Sequence, residues 1–199
     1  MKWHNFQLFP RVIDCTDEMF FSTCMNLREK IDVQINPDLV IGVMTGGAEV
    51  VATMIEHGGS WHACGYISAS RPSSTVKKAR FAGMISHLPR KINNLLRGME
   101  HLVRLSSFRK KRVVSARNIE LSIELLDLIN MANRICVVDD AIDSGSSLLQ
   151  ISNAIYKIKP EAVIYTAVIV QTFPQPVLIP DITLFQDVLV RFPWAIDAR

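Results

Sequence analysis

Two acidic residues and a short polar loop in the second half of the chain carry the groups that could do chemistry. Asp139 and Asp140, the acid pair, follow the apolar run 135–138, and the phosphate loop 143–147 (Asp-Ser-Gly-Ser-Ser) comes two residues later. Such a loop at the start of a helix can present backbone N–H groups and hydroxyls to one phosphate. The carboxylates would repel phosphate and would instead meet sugar hydroxyls or magnesium. The pattern predicts a site for a ligand that carries both a phosphate and a diol.

A glycine pair follows an apolar run in the first half of the chain. The run at 39–44 leads into Thr45-Gly46-Gly47, the glycine loop, and an apolar-rich stretch at 48–55 comes next. This order predicts a strand, a tight turn and a helix. Glycines in such a turn let a ligand approach the backbone closely.

The elements that must position these two loops alternate along the chain. Apolar patterns predict strands at 39–44, 61–68, 134–139 and 162–170, and helices at 16–29, 48–55, 119–131 and from the phosphate loop to 158. Alternating strands and helices indicate an α/β domain with a doubly wound, mainly parallel sheet. In such sheets ligands bind beyond the carboxyl ends of the strands, where both loops fall.

Residues 135–147 resemble the PRPP-binding motif of the type I phosphoribosyltransferases, where PRPP is 5-phosphoribosyl-1-pyrophosphate. That motif has four apolar residues, two acids, two variable residues and an Asp-Thr/Ser-Gly-x-Thr/Ser loop, and every defining position matches. The resemblance implies one domain over 1–199 that binds PRPP and Mg²⁺. It implies that Asp139 and Asp140 hold the ribose hydroxyls, directly or through the metal. The 5-phosphate would be held by Asp143, Ser144, Gly145, Ser146 and Ser147.

The same resemblance covers the residues that would bind the leaving pyrophosphate and take the proton of the acceptor. The stretch 41–47 looks like the family's pyrophosphate loop, and Arg71 stands where the family often places a basic residue that meets pyrophosphate. The implied reaction displaces magnesium pyrophosphate at the anomeric carbon of ribose. In the purine-salvage branch the acid at the place of Asp143 faces the acceptor, so Asp143 is expected to take the acceptor's proton.

The sequence does not identify the molecule that accepts the phosphoribosyl group. The segment 191–194 (Arg-Phe-Pro-Trp) resembles the ending of some purine enzymes, which makes Trp194 a candidate for contact with a base. Gln171 stands where those enzymes carry a lysine, and it is a second candidate because its amide could donate a hydrogen bond to the acceptor. Our first expectation is a sugar hydroxyl of a lipid-linked glycan, with ribofuranose 5-phosphate transferred in polysaccharide biosynthesis. A 6-oxopurine salvage enzyme is the alternative, and a non-catalytic PRPP-sensing regulator is a third possibility.

A strongly basic segment interrupts the resemblance. Residues 71–112 hold twelve Lys or Arg against the single acid Glu100, although the whole chain has a net charge of only +3. Apolar residues at three- and four-residue spacing predict a basic amphipathic helical insertion at about 71–118, kinked or paired at Pro89 and Gly98. It would be either a helical hood over the sheet or a helix whose part at 77–112 meets an anionic membrane surface. Nucleic acid is the weaker candidate because few aromatic residues interleave with the charge.

The remaining features limit the class of protein. Four cysteines show no CxxC spacing, so neither a zinc site nor a redox pair is indicated, and each is predicted to be a small buried apolar residue. No apolar run approaches the roughly 18 residues of a membrane-spanning helix. We therefore expect a cytoplasmic protein, peripheral on the membrane if the basic segment binds lipid. The family resemblance implies a homodimer.

Overall fold

The computed structural model describes residues 10–70, 89–111, 118–195 and 198. The helices are α1 (Asp17–Gln34), α2 (Gly46–Gly58), α3 (Arg90–Lys111), α4 (Ile123–Met131) and α5 (Ser146–Ile158). The strands are β1 (Val12–Asp14), β2 (Leu39–Val43), β3 (Ala63–Ser70), β4 (Asn118–Glu120), β5 (Arg134–Ile142), β6 (Val163–Gln171), β7 (Ile182–Gln186) and β8 (Leu189–Arg191).

A six-stranded sheet in the order β4-β3-β2-β5-β6-β7 forms the centre of the fold. Every neighbouring pair is parallel except the edge pair of β3 and β4. Helices α1 and α2 pack on one face, and α4 and α5 pack on the other. The predicted doubly wound, mainly parallel α/β architecture is confirmed.

Strand β5 shows why the sheet needs helices on both sides. Ile135 and Val137 are fully buried in one apolar cluster, and Cys136 and Val138 are fully buried in the other. Because successive side chains of a strand point to opposite faces, an uninterrupted apolar run requires cover on both. The same strand then continues into the acid pair.

A small second sheet holds α3 in place. Strands β1 and β8 pair in parallel, and Arg191 of β8 is only 2% exposed. Its guanidinium bonds the Asp14 carboxylate and donates to Asn94 Oδ1 of α3 at 2.5 Å. The small sheet therefore fixes α3 to the body of the domain.

Two predicted helix boundaries were wrong. Helix α1 ends at Gln34 rather than near residue 29, because the chain leaves the helical conformation only at Asn36, with φ 48°, just before Pro37. The helix predicted from residue 119 begins at Ile123, because 118–120 pair antiparallel with β3. Ser122 caps that helix, its Oγ accepting from Leu125 N at 3.2 Å.

Within the described part of the basic insertion, neither Pro89 nor Gly98 interrupts the helix. Helix α3 runs for 22 residues with Gly98 inside it, and Pro89 lies just before its first residue. Pro89 has no N–H to lose at that position and its carbonyl accepts from Ile92 N, so it starts the helix instead of breaking it. The rest of the predicted insertion, 71–88 and 112–117, lies outside the described residues.

The cysteines agree with the sequence prediction. Cys15, Cys24 and Cys136 are buried and Cys64 is partly buried, all as free thiols. Burial raises the pKa of the Cys24 thiol to about 12, with the neighbouring Cys15 acting in the same direction. Such thiols are poor nucleophiles.

Within the described ranges, every helix is too short or too polar to span a lipid bilayer.

Asp38 gives a pH-dependent test of the fold. Its Oδ2 accepts from Arg134 N at 2.9 Å and Asn133 N at 3.0 Å, which ties the start of β2 to the start of β5. These backbone N–H groups hold the pKa of Asp38 below its usual range. The stabilisation is thus complete above the unfolded pKa of about 3.9 and is lost as pH falls through the folded value.

We expect the melting-temperature difference between the unmodified protein and Asp38→Asn to be largest above about pH 5 and to shrink as the pH falls below about 3.9. Thermal unfolding followed by circular dichroism across that range measures it. A difference that stays constant down to about pH 3 would contradict the role of the ionised carboxylate.

Candidate active site

A cavity of about 350 Å³ lies beyond the carboxyl edge of β5, between the phosphate loop and α3. Its lining comprises Arg97, Glu100, His101, Arg104, residues 139–148, Val170, Thr172, Leu189, Val190 and Phe192. The acid pair and the whole phosphate loop thus share one cavity, as the sequence pattern predicted.

The acid pair lies within β5 rather than beyond its end. Strand β5 pairs with β6 as far as Ile142, whereas its pairing with β2 stops at Val138. Past Val138 one edge of β5 is therefore open, and side chains satisfy the backbone there. Asp140 N donates to Asp139 Oδ1, and Ala141 N donates to Asp140 Oδ1, both at 2.9 Å.

The acid pair has the character of a cation site. Burial raises the pKa of Asp140, hydrogen bonds from Asp139 and from the backbone oppose the rise, and the nearby Asp143 charge adds to it. No group of three or more metal-ligating side chains occurs among the residues that the structure describes. Mg²⁺ is commonly held by one or two carboxylates together with substrate phosphates, so this pair fits magnesium that arrives with a phosphorylated substrate.

The phosphate loop ends in an open helix N-terminus. Gly145 adopts φ 80°, and a Cβ there would lie 2.8 Å from Leu178 N, so the turn requires glycine. Helix α5 begins at Ser146, and its N-cap residue Gly145 has no side chain to cap it, although Ser146 N donates to Ser144 Oγ at 3.4 Å. The other backbone N–H groups of the first turn are available to an anion in the cavity.

The glycine loop lies directly against the acid pair. Gly46 and Gly47 are buried in the first turn of α2, which also lacks a side-chain cap, and the Met44–Thr45 peptide is cis. A Cβ at Gly46 would lie 2.3 Å from Asp140 Cγ, and one at Gly47 would lie 2.3 Å from Val138 O. The loop does not line the cavity itself but brings a second helix N-terminus to the acid pair.

Helix α3 forms one wall of the cavity with charged side chains. Arg104 donates from Nη2 to Glu100 Oε1 at 2.6 Å and from Nη1 to Asp143 Oδ2 at 3.2 Å. Burial disfavours the Arg104 charge, but the carboxylates of Glu100 and Asp143 outweigh it and raise the pKa of Arg104. Burial lowers the pKa of His101 on the same wall, the Asp143 charge opposes this, and Arg104 adds to the lowering. None of these residues had been predicted as a site residue, although Arg97, His101 and Arg104 recur at helical spacing.

Asp143 is held by two partners. Besides the bond from Arg104, its Oδ1 lies 2.5 Å from the Thr172 hydroxyl just after β6. The Thr172 backbone N–H also donates to Ile142 O at 2.9 Å. A carboxylate fixed on both oxygens and facing a cavity is well placed to meet a proton donor in a ligand.

Comparison with solved structures identifies proteins of similar fold. No family model matches the sequence, and no curated protein matches it. Among solved structures, the chain is similar to the xanthine-guanine-hypoxanthine phosphoribosyltransferase of Helicobacter pylori, with a TM-score of 0.62, 18% identity, 94% of this chain and 96% of that chain covered. A purine phosphoribosyltransferase from Pyrococcus horikoshii gives a TM-score of 0.58 at 18% identity, covering 92% and 93%. The chain has the fold of the type I phosphoribosyltransferases.

A third solved structure is similar over most of its length. It is a hypothetical protein from Neisseria gonorrhoeae with bound ppGpp, with a TM-score of 0.52, 13% identity, and 93% of this chain and 89% of that chain covered.

The predicted acceptor residues of this phosphoribosyltransferase fold lie outside the cavity lining. Gln171 is buried and its Nε2 donates to Phe173 O at 3.0 Å, while its Oε1 has no partner among the described residues. Trp194 is half-exposed and stacks on Phe192, with ring centroids 5.0 Å apart. Among the described residues that line the cavity, Phe192 is the one with a phenyl ring, and it is only 6% exposed. Arg71 lies outside the described residues.

Proposed function

We propose that this chain is a magnesium-dependent phosphoribosyltransferase that joins PRPP to a purine base. The observation that carries the proposal is one cavity that contains an acid pair, an open helix N-terminus and an aromatic side chain, Phe192. These three features match the diol, the phosphate and the planar base that the reaction brings together. The likeness of the fold to two purine phosphoribosyltransferases supports the same reading.

The arrangement orients PRPP along the edge of the sheet. The 5-phosphate would bind the first N–H groups of α5, and the ribose hydroxyls would meet Asp139 and Asp140. The pyrophosphate would then lie towards the glycine loop and the N-terminus of α2, next to the acid pair. When bound, Mg²⁺ would neutralise charge on the departing pyrophosphate oxygens, held by the acid pair.

The reaction exchanges one bond at the anomeric carbon. The bond from C1 of ribose to the pyrophosphate oxygen breaks with its electron pair on pyrophosphate, and a bond forms between C1 and a ring nitrogen of the base. The proton displaced from that base goes to the carboxylate of Asp143, which Thr172 and Arg104 hold in position. Phe192 offers an apolar aromatic surface for the base.

A purine acceptor fits better than the lipid-linked glycan that we first expected from the sequence. Two of the solved structures with similar folds are purine enzymes, and no comparison points to a glycan acceptor. The lysine expected for a 6-oxopurine is replaced by Gln171, which is buried, donates to Phe173 O and is not among the residues that line the cavity. The base must therefore be recognised by other groups.

The experiment that tests the proposal measures pyrophosphate release from PRPP and Mg²⁺ with hypoxanthine, guanine, xanthine and adenine, and with glycan acceptors. We expect release with one or more purines, a matching nucleotide product, and none without magnesium. Release that depends only on a glycan acceptor would contradict the purine assignment. A protein that binds PRPP without releasing pyrophosphate from any acceptor would point to a regulator.

A second candidate function is binding of ppGpp, which carries a purine and two pyrophosphates. The solved structure from Neisseria gonorrhoeae with this ligand and the cationic wall of Arg97 and Arg104 support it. Calorimetry with ppGpp, alone and after saturation with PRPP and magnesium, tests whether ppGpp and PRPP compete for the same cavity. Binding that PRPP leaves unchanged would exclude a shared cavity.

Arg104 is predicted to contribute to PRPP binding. We expect Arg104→Ala to weaken the affinity for PRPP by about tenfold, because a cation that lines the cavity and would attract the phosphates of PRPP is lost. The difference should shrink with added salt. Calorimetry compares this variant with Arg109→Ala, which changes an exposed arginine on the same helix outside the cavity lining. Tighter binding by Arg104→Ala would contradict the prediction and would mean that the ion pair obstructs the site.

A further inference from the structure

Helix α3 has the reverse of the usual polarity for a surface helix. Its polar side, with Arg97, His101 and Arg104, faces the cavity. Its outer side is apolar, with side chains between 41% and 67% exposed at Ile92, Leu95, Leu96, Met99, Leu102 and Val103. Surface helices of globular proteins normally bury the apolar stripe and expose the polar one. The cavity explains why the charges point inward, but within the described ranges nothing covers the apolar side.

The outer side is a continuous row rather than a set of scattered residues. Its six large aliphatic side chains follow three- and four-residue spacing between residues 92 and 103, which is about 16 Å of helix at 1.5 Å per residue. Other exposed apolar residues, such as Ile123 and Met131, stand at opposite ends of the short helix α4. A contiguous row of this kind marks a surface that meets a partner.

The charge of α3 selects the kind of partner. The helix has seven Lys or Arg and one acid, with Arg90 and Lys91 at its start and Arg109, Lys110 and Lys111 at its end. Two copies of α3 placed row to row would bring these like charges together, so a second copy of the chain is disfavoured. Nucleic acid offers phosphates but no apolar layer for the aliphatic row.

We propose that the outer side of α3 docks on an anionic lipid surface. The aliphatic row would enter the boundary between headgroups and acyl chains, and the net positive charge of the helix would attract anionic headgroups, although Arg90 at its start lies 3.8 Å from Asp14 Oδ2. The helix would lie in the plane of the surface with the cavity on its other side. This proposal stands apart from the proposed function, because it uses none of the residues that line the cavity.

Flotation with vesicles tests the proposal directly. We expect the full chain to float with vesicles of phosphatidylglycerol and phosphatidylcholine, and not with phosphatidylcholine alone. The double variant Leu95→Gln with Met99→Gln should bind at least about tenfold more weakly, since both side chains would lose burial in lipid. The matched control, Ile123→Gln with Met131→Gln, removes two exposed apolar side chains elsewhere and should bind normally. Turnover measured without vesicles should be the same in all three proteins.

A site-specific probe supplies a second measurement. In a Cys64→Ser background, an environment-sensitive fluorophore on Met99→Cys should shift to the blue with anionic vesicles, and one on Val33→Cys, 78% exposed on α1, should not. A probe at Met99→Cys that is already shielded without vesicles would overturn the proposal, because the row would then be covered by protein. Two other results would overturn it. One is a dimer in solution that becomes a monomer when Leu95 and Met99 are changed, and the other is binding to anionic vesicles that those changes do not weaken.

Discussion

Asp143→Asn is expected to lower the turnover of a purine base by about 10²–10⁴-fold while leaving the affinity for PRPP nearly unchanged. The carboxylate faces the cavity with one oxygen 2.5 Å from the Thr172 hydroxyl and the other 3.2 Å from Arg104 Nη1. Asparagine has the same shape but cannot take the proton displaced from the base. Steady-state turnover with the best purine, together with calorimetry for PRPP and magnesium, measures both effects.

Thr172→Val is the matched control for that change. It keeps the Asp143 carboxylate but removes one of the two groups that hold it, so turnover should fall by only about tenfold, the equivalent of one hydrogen bond to a charged group. An Asp143→Asn protein with full turnover would show that another group takes the proton. Equal losses in the two variants would mean that Asp143 acts by shaping the loop and not as a base.

Gly46→Ala and Gly47→Ala are expected to fail in different ways, although the glycines are neighbours. The methyl group at Gly46 would lie 2.3 Å from the Asp140 carboxylate, which is a side chain and can move aside. We expect Gly46→Ala to stay folded and to bind PRPP with magnesium about 100-fold more weakly, because the displaced carboxylate loses its contacts with the ligand.

The methyl group at Gly47 would meet backbone instead, 2.3 Å from Val138 O and 2.8 Å from Asp139 Cα. These atoms belong to the central strand and cannot move without disturbing the sheet. We expect Gly47→Ala to destabilise the protein by about 3 kcal/mol, which lowers the melting temperature by roughly 6–12 °C in a domain of this size.

Gly59→Ala is the control for both glycine changes. A Cβ at Gly59 meets nothing within 4 Å, and only its φ of 80° is unfavourable for alanine. Because its ψ is 169°, Gly59 lies in a region that other residues rarely adopt, so a loss of about 1–3 kcal/mol with unchanged PRPP affinity is expected. Thermal unfolding and calorimetry on the three variants give the comparison. Normal PRPP affinity in Gly46→Ala would contradict the placement of the glycine loop against the acid pair.

The basic segment shows how a periodic pattern can predict the type of an element without placing each of its charges. Its periodicity predicted an amphipathic basic helix, and α3 is one. The charges were expected on a solvated back or against lipid, yet Arg97 and Arg104 face the cavity. Periodicity defines two sides of a helix but not which side meets the domain. That choice depends on the tie from Arg191 to Asn94 and on the pairing of Arg104 with Asp143, which is distant in sequence.

The residues predicted to contact the acceptor show a similar limit of prediction from sequence. Gln171 was predicted to contact the acceptor, but Val170 and Thr172 line the cavity instead. Alternation along a strand sends neighbouring side chains to opposite sides, so a sequence that predicts the strand does not by itself predict which of its residues reach the cavity. Phe192 and Trp194 are both aromatic, and the packing of β8 decides that Phe192 reaches the cavity.

The sequence by itself determined the phosphate loop, the acid pair and the doubly wound sheet. These depend on contiguous residues, whose apolar run, polar turn with glycine and amphipathic stretch predict a strand, a loop and a helix in that order. Tertiary structure alone decided the open edge of β5 beyond Val138, the wall formed by α3 and the choice of Phe192. Each of those results from contacts between residues far apart in the chain, whose geometry depends on how whole elements pack.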